Sequence, residues 1–365
     1  MSMRMIAPGK YVQGPGAIHE IGELVVSLGK SVLVLGDEFV LNLTQTDINT
    51  SLSEKQLSCT FEQFRGECSK VEIARVKKVA EQNKADVIVG VGGGKALDTA
   101  KAAATMLKLP IIIVPTIAAT DAPTSALAVI YTENGEFEEY MFLPRNPSLV
   151  LVDTAIIAKA PVRFLVSGMG DTLSTKVEAE AAFQSGTKNW AGGSPLVLGK
   201  KIAQLSWDLI LEYGVQAKIA VENQLVTPAV EKVVEANTLL SGMGFELNGT
   251  AGAHAIHNGL TILEETHRYY HGEKAGFGTL CQMVLEDRPP QEIDQLVDFC
   301  AAVGLPTKLE DLGLKGVSES KLMKVAEAAC SPTDTMVNMP FPVTPVMVMH
   351  VMLAVDALGR RLAKK

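Results

Sequence analysis

ADVIVGVGGGKALDTAKAAATMLK, residues 85–108, decides the fold. Its first part is near-continuously apolar after Asp86, three glycines end that run, and the remainder has helical spacing with charges on one face. An unbroken apolar run is how a strand covered on both faces reads. A strand closed by glycines that open a helix is half of a βαβ unit. Three further segments repeat the signature: SVLVLGD (31–37), LPIIIVPT (109–116) and SLVLVD (148–153). Between them lie helical stretches such as VEIARVKKVAEQNK (71–84). The pattern predicts a doubly wound parallel sheet, with ligands bound beyond the carboxyl ends of its strands. ALAVIYTENGEFEEYMF (126–142) differs, reading as a hairpin turned at Glu133-Asn134-Gly135-Glu136.

From about residue 161 the texture changes. Ala/Leu/Glu-rich stretches at 162–184, 195–211, 228–247, 272–285, 290–303, 319–329 and 344–362 are punctuated by Gly or Pro, and no strand pattern remains. With 365 residues, too many for one core, this predicts an α/β nucleotide-binding domain over 1–160. An all-α domain over 161–365 follows it. The net charge of −8 argues against nucleic acid or an anionic membrane as partner. Cys59, Cys68, Cys281, Cys300 and Cys330 show no paired spacing. MSMRMIAPGKYVQ lacks the apolar centre of a secretory signal, and PVMVMHVMLAVDALG is interrupted by His350 and Asp356. Reduced thiols in a cytoplasmic protein, with no membrane span, are the expectation.

Gly92, Gly93 and Gly94 permit close backbone approach to a pyrophosphate, and the helix they open offers free N–H groups and a favourable dipole. Lys95 is followed by Ala96, so the hydroxyl of a Walker A loop is missing. The usual Rossmann acid lies after its glycines; here the candidate, Asp37, precedes them. A bare strand-to-helix turn accounts for the glycines equally, but three in a row followed by Lys favour phosphate. Asp37 reads either as a helix cap or as a ribose-binding carboxylate that prefers NAD to NADP. Asp98, on the opening helix, is counted with the cofactor contacts. PTIAATDAPTSALAVIY (115–131) is a small-residue polar loop whose Thr116, Thr120, Thr124 and Ser125 offer hydroxyls. Asp121, its one charged residue, reads as a cap or as a substrate contact.

Asp171 in GMGDTLS (168–174), His254 in GTAGAHAIHNGLT (249–261) and His271 in HGEKAGFG (271–278) form a candidate metal set. One carboxylate and two imidazoles suit zinc, and three ligands leave a position open for a substrate oxygen. Their wide spacing matches no motif, and a single His is more often a packed or surface residue, which is the reading given to His19, His267 and His350. His257, three residues after His254, is either a supporting group or a packed side chain.

APGKYVQG (7–14), GGGKALDTAK (92–101), PTIAATDAP (115–123), YTENGEF (131–137), GMGDTLS, VEANTLLSGMGFE (234–246), AHAIHNGLT (253–261) and YYHGEKAGFGTL (269–280) span nearly the whole chain. Through them it resembles the glycerol dehydrogenases of the iron-containing (group III) alcohol dehydrogenase superfamily. The resemblance implies a dehydroquinate synthase-like fold with an N-terminal NAD-binding domain and a C-terminal helical domain for metal and substrate. It places zinc on Asp171, His254 and His271, and NAD contacts on Asp37, Gly94, Lys95, Thr116, Ser125, Leu127 and Tyr131. It makes Asp121 the polyol-contacting carboxylate, to be counted with His254 as catalytic. Ala119 stands where relatives often carry Ser, and FPVTPVMVMH (341–350) is more apolar than the family pattern. Iron-dependent relatives carry a further His where this chain has Thr175, which disfavours iron.

The implied activity is NAD-dependent, zinc-dependent oxidation of glycerol or a related vicinal diol. A large homo-oligomer, an octamer in the family, is implied with it. The alternative is a glycerol-1-phosphate dehydrogenase or another metal-dependent alcohol dehydrogenase, although only Lys274 and Arg268 near the metal segments offer charge to a phosphate. A non-catalytic nucleotide-binding module and a phosphoryl-transfer enzyme are the rivals from other classes.

Overall fold

The computed structural model describes residues 2–362. Contacts divide the chain into two compact units. One is Ile6–Pro161 with Ala220–Gly242; the other takes, of the described residues, 2–5, Val162–Ile219 and 243–362.

The first unit is built on a six-stranded sheet. Its strands, with the hairpin numbered in chain order, are β1 (Tyr11–Gly14), β2 (Ser31–Gly36), β3 (Ser58–Gln63), β4 (Val87–Gly92), β5 (Ile111–Pro115), β6 (Leu127–Tyr131), β7 (Phe137–Phe142) and β8 (Leu149–Asp153). The sheet order is β1-β8-β5-β4-β2-β3, every pair parallel, while β6 and β7 form a separate antiparallel ribbon. The residues of β4, β5 and β8 are buried throughout, as their near-continuous apolar runs require. The expected parallel sheet and hairpin are therefore present. Two strands escaped the sequence reading. β1 and β3 are the sheet edges, only partly buried, and carry Gln13, Glu62 and Gln63 among their apolar residues.

The order of strands reverses between β2 and β4, which makes their carboxyl ends the switch point of the sheet. Asp37 follows one end and Gly92 closes the other.

Residues 220–242 depart from the predicted division at 160. The helix Pro228–Glu235 has Val230, Val233 and Val234 on one buried face, at the spacing of a helical stripe. Polar ties hold it and the turn after it to the first unit. Glu231 accepts from Gln13 and from Thr154, and the Thr238 hydroxyl meets that of Tyr11 at 2.7 Å.

The second unit is helical, as expected, and its helices cross at glycines. A methyl on Gly272 would lie 1.8 Å from the Ser167 carbonyl oxygen, and one on Gly170 would lie 2.2 Å from the Gly272 oxygen. The helices Val162–Ser185 and His271–Leu285 thus touch backbone to backbone. Gly278 makes the same approach to Ala253, where a methyl would meet the carbonyl oxygen at 2.3 Å. The apolar C-terminal segment becomes the helix Pro345–Leu362, which buries Val348, Met352 and Val355. No described helix is long and apolar enough to cross a membrane, and all five cysteines are free.

Asp153 shows how the first unit is tied together. Its buried carboxylate accepts hydrogen bonds from the backbone N–H groups of Gly16, Ile18, Ala155 and Ile156, at 3.0, 3.1, 2.9 and 3.3 Å. Removing it strands several donors, each costing roughly 1–3 kcal/mol when buried and unpaired. Asp153→Ala is expected to destabilise the protein by about 3 kcal/mol or more, read as a lowered denaturant midpoint. An unchanged midpoint would show that water replaces the carboxylate at no cost.

Candidate functional site

Asp171 lies in the middle of the helix Val162–Ser185, His254 in the first turn of the helix Gly252–Leu260, and His271 begins the helix His271–Leu285. The glycine crossings bring these three helices together, and with them the three side chains predicted from sequence as metal ligands. His271 Nε2 stands 3.1 Å from Asp171 Oδ1, His254 Nε2 3.5 Å from the same oxygen, and the two Nε2 atoms 3.2 Å apart. Donor atoms held about 2.0–2.2 Å from a tetrahedral zinc ion stand about 3.3–3.6 Å from one another. The observed edges of 3.1, 3.2 and 3.5 Å are close to that size, two of them slightly shorter, and the carboxylate is 1% exposed.

Electrostatics agree with the geometry. Glu178 Oε2 stands 2.6 Å from His254 Nδ1. A carboxylate oxygen accepts at this distance, so the His254 proton belongs on Nδ1, and Nε2 is the ring nitrogen that faces the other two ligand atoms. Lone pairs converging on one point need a cation or a proton between them. Burial alone lowers the pKa of His254, but Glu178 and Asp171 outweigh it and hold it well above the ordinary value. Burial likewise raises the Asp171 carboxyl, and His271 and His254 overcome that and hold it far below the carboxylate range. A divalent cation satisfies the same imbalance, and this donor set suits zinc.

His257 packs against the candidate ligand set. It is buried, its Nδ1 meets Asn258 Oδ1 at 3.0 Å, and its ring centroid lies 4.2 Å from that of His271. Burial, reinforced by His271 and Lys274, holds its pKa well below the ordinary value, so it stays neutral. Lys274 is itself buried, and that burial depresses its own pKa. Thr175, one turn beyond Asp171 on the same helix, is buried at 1% exposure.

In the α/β unit the sheet switch point brings Asp37 to the glycine loop. Asp37 Oδ1 caps the helix Glu38–Glu54 by accepting from Val40 N–H at 2.9 Å, and Oδ2 lies 3.9 Å from where a Gly92 methyl would be. The helix-cap reading of this residue is therefore observed, and its second oxygen is left facing the glycine loop. Gly92 has a φ of 137°, which only glycine adopts without strain. Gly93 caps the helix Gly94–Leu107, leaving its first N–H groups open to a phosphate. Lys95 pairs with Glu67 and sits 5.5 Å from the Tyr131 ring centroid. Thr116 donates its backbone N–H to Gly92, and Ser125 bonds the Ala122 carbonyl. Leu127 and Tyr131 bound β6. Asp121 accepts from the Ser241 hydroxyl at 3.1 Å.

Asp98 needs correction as a cofactor contact. It is buried, paired with Lys101 at 2.8 Å, and accepts from the Val129 N–H at 3.0 Å. Lys101, fully buried, also donates to the carbonyl oxygens of Ala122, Ser125 and Leu127. The pair thus holds the 122–129 segment from inside. The small residues around both positions, ALDTAKAAA, were the sequence signal that this helix face turns inward. Glu178 was missed altogether; its signal was the seven-residue step from Asp171, which returns to the same helix face.

Comparison with known proteins follows the same lines. The iron-containing alcohol dehydrogenase family pattern matches residues 8–154. The chain is 52% identical to a glycerol dehydrogenase of Thermotoga maritima over 97% of both chains. It is 50% identical to one of Citrobacter freundii, again over 97% of both. The crystal structure of a probable glycerol dehydrogenase from Sinorhizobium meliloti 1021 superposes with a TM-score of 0.93 at 48% identity, covering 99% of this chain and 100% of that one.

The glycine crossing makes the ligand triangle testable. Gly272→Ala forces the backbone at His271 away from Ser167, and is expected to weaken zinc binding by roughly tenfold or more, the scale of losses when ligand supports are removed. Competition with a chelating dye measures it. Gly14→Ala, where an added methyl meets nothing within 4 Å, should bind as the parent does. A folded Gly272→Ala protein with parental affinity would contradict the crossing's role.

Proposed function

The chain belongs to the iron-containing alcohol dehydrogenase family, and from that premise we propose that it oxidises glycerol at the secondary hydroxyl to dihydroxyacetone, with NAD as hydride acceptor and zinc as the metal. The observation that carries this reading is the triangle of Asp171, His254 and His271, with edges of 3.1, 3.2 and 3.5 Å. The three residues would hold the ion, and when bound it supplies Lewis acidity that favours loss of the alcohol proton and, in reverse, polarises the carbonyl. NAD supplies the acceptor for the hydride; the protein contributes binding and alignment.

The remaining tasks fall to side chains. The helix opening at Gly94, with Lys95 beside it, offers N–H groups and positive charge to a pyrophosphate. Asp37, with Oδ2 facing Gly92, accepts from ribose hydroxyls and repels a 2′-phosphate, which favours NAD over NADP. Thr116, Ser125, Leu127 and Tyr131 supply further contacts to the cofactor. Asp121, steadied by Ser241, is assigned to the hydroxyl next to the reacting carbon and so to the choice of diols over simple alcohols. Related vicinal diols belong to the same substrate class. The homo-oligomeric assembly and cytoplasmic setting are carried with this reading and rest on the family resemblance.

Two measurements test it. Glycerol-dependent NADH formation is expected to vanish on chelation and return with added zinc, while NADP and glycerol 1-phosphate support little turnover; activity indifferent to chelation would remove the metal from the reaction. Asp121→Ala is expected to lower kcat/KM for glycerol by roughly 10- to 100-fold, the worth of one hydrogen bond to a charged group. A secondary alcohol lacking the neighbouring hydroxyl should lose far less. Equal losses on both substrates would make Asp121 structural.

A further inference from the structure

We propose that Glu178 is a positioning residue that decides which nitrogen of His254 faces the metal centre, and so sets the affinity of that centre for its ion. The inference rests on the metal reading above. Glu178 sits two helical turns beyond Asp171 on the helix Val162–Ser185, so ligand and support project from one face of one rigid element. Its side chain is fully buried, and among the described residues its only ionic neighbour is His254.

The two carboxylate oxygens have different partners. Oε1 accepts from the backbone N–H groups of Ala251 and His254, both at 2.8 Å, where the helix Gly252–Leu260 begins. Those donors have no partner within the helix itself. They fix the carboxylate, and its second oxygen then lies 2.6 Å from His254 Nδ1. A simple helix cap needs only the first oxygen, and a neutral amide or hydroxyl serves that purpose without burying a charge. The second contact keeps the imidazole proton on Nδ1 and leaves the Nε2 lone pair directed at Asp171 and His271.

The helix-cap role and the positioning role separate in one pair of variants. In Glu178→Gln the amide oxygen keeps both backbone N–H bonds, but the amide nitrogen now opposes Nδ1 and donates to it. The ring proton moves to Nε2 and covers the lone pair that the ion needs. Glu178→Ala loses the cap and the proton acceptor together. Each full-length protein is stripped of metal, its melting temperature is recorded, and zinc affinity is read by competition with a chelating dye. The expected result is that Glu178→Gln melts close to the parent yet binds zinc about 10- to 100-fold more weakly, while Glu178→Ala loses both stability and affinity. A Gln variant with parental zinc affinity, or one that loses zinc only together with its fold, overturns the proposal. Failure of the metal reading looks different: the parent protein would then bind no zinc, or its His271→Ala variant would bind it as tightly as the parent does.

Discussion

The approach of the Gly272 backbone to the Ser167 carbonyl oxygen is the contact on which the triangle of Asp171, His254 and His271 depends. Any side chain at Gly272 or Gly170 would meet backbone at about 2 Å, far inside van der Waals contact. Without side chains there, two long helices cross closely enough for the first residue of one, His271, to reach the middle of the other, at Asp171. Gly278 against Ala253 does the same for the helix that carries His254. Ligand separation is thus set by rigid backbone rather than by flexible side chains, the condition under which a metal site holds its geometry.

The α/β unit solves a parallel problem by topology. Where the strand order reverses between β2 and β4, adjacent carboxyl ends place Asp37 beside Gly92, and the helix N-terminus follows directly. The 122–129 segment does not hold itself there. The buried Asp98–Lys101 pair, one helical turn apart, satisfies one N–H and three carbonyl groups of that segment from below. A buried ion pair is costly unless its remaining hydrogen-bonding capacity is used, and here the backbone of that segment uses it.

Much of this was legible in the sequence, for identifiable reasons. Strands covered on both faces cannot hide, because every residue must be apolar; the edge strands β1 and β3 could, because half their surface is open and polar residues serve there. The break near residue 160 was visible as a change of period. The return of 220–242 to the first unit was not, since Val230, Val233 and Val234 announce a buried helix face without saying what buries it. The metal residues lie too far apart for any local pattern and were named through family resemblance, whereas Glu178 and Asp98 depended on helix phase. Asp98 was counted with the loop because it follows the glycines closely, yet its face of the helix turns inward.

The most direct test of the account is a crystal grown with zinc and measured on both sides of the zinc absorption edge. The account predicts one anomalous peak about 2.0–2.2 Å from Asp171, His254 Nε2 and His271 Nε2, with Glu178 still on Nδ1. A stoichiometric peak elsewhere in the chain, or none in protein that still oxidises glycerol, would contradict it.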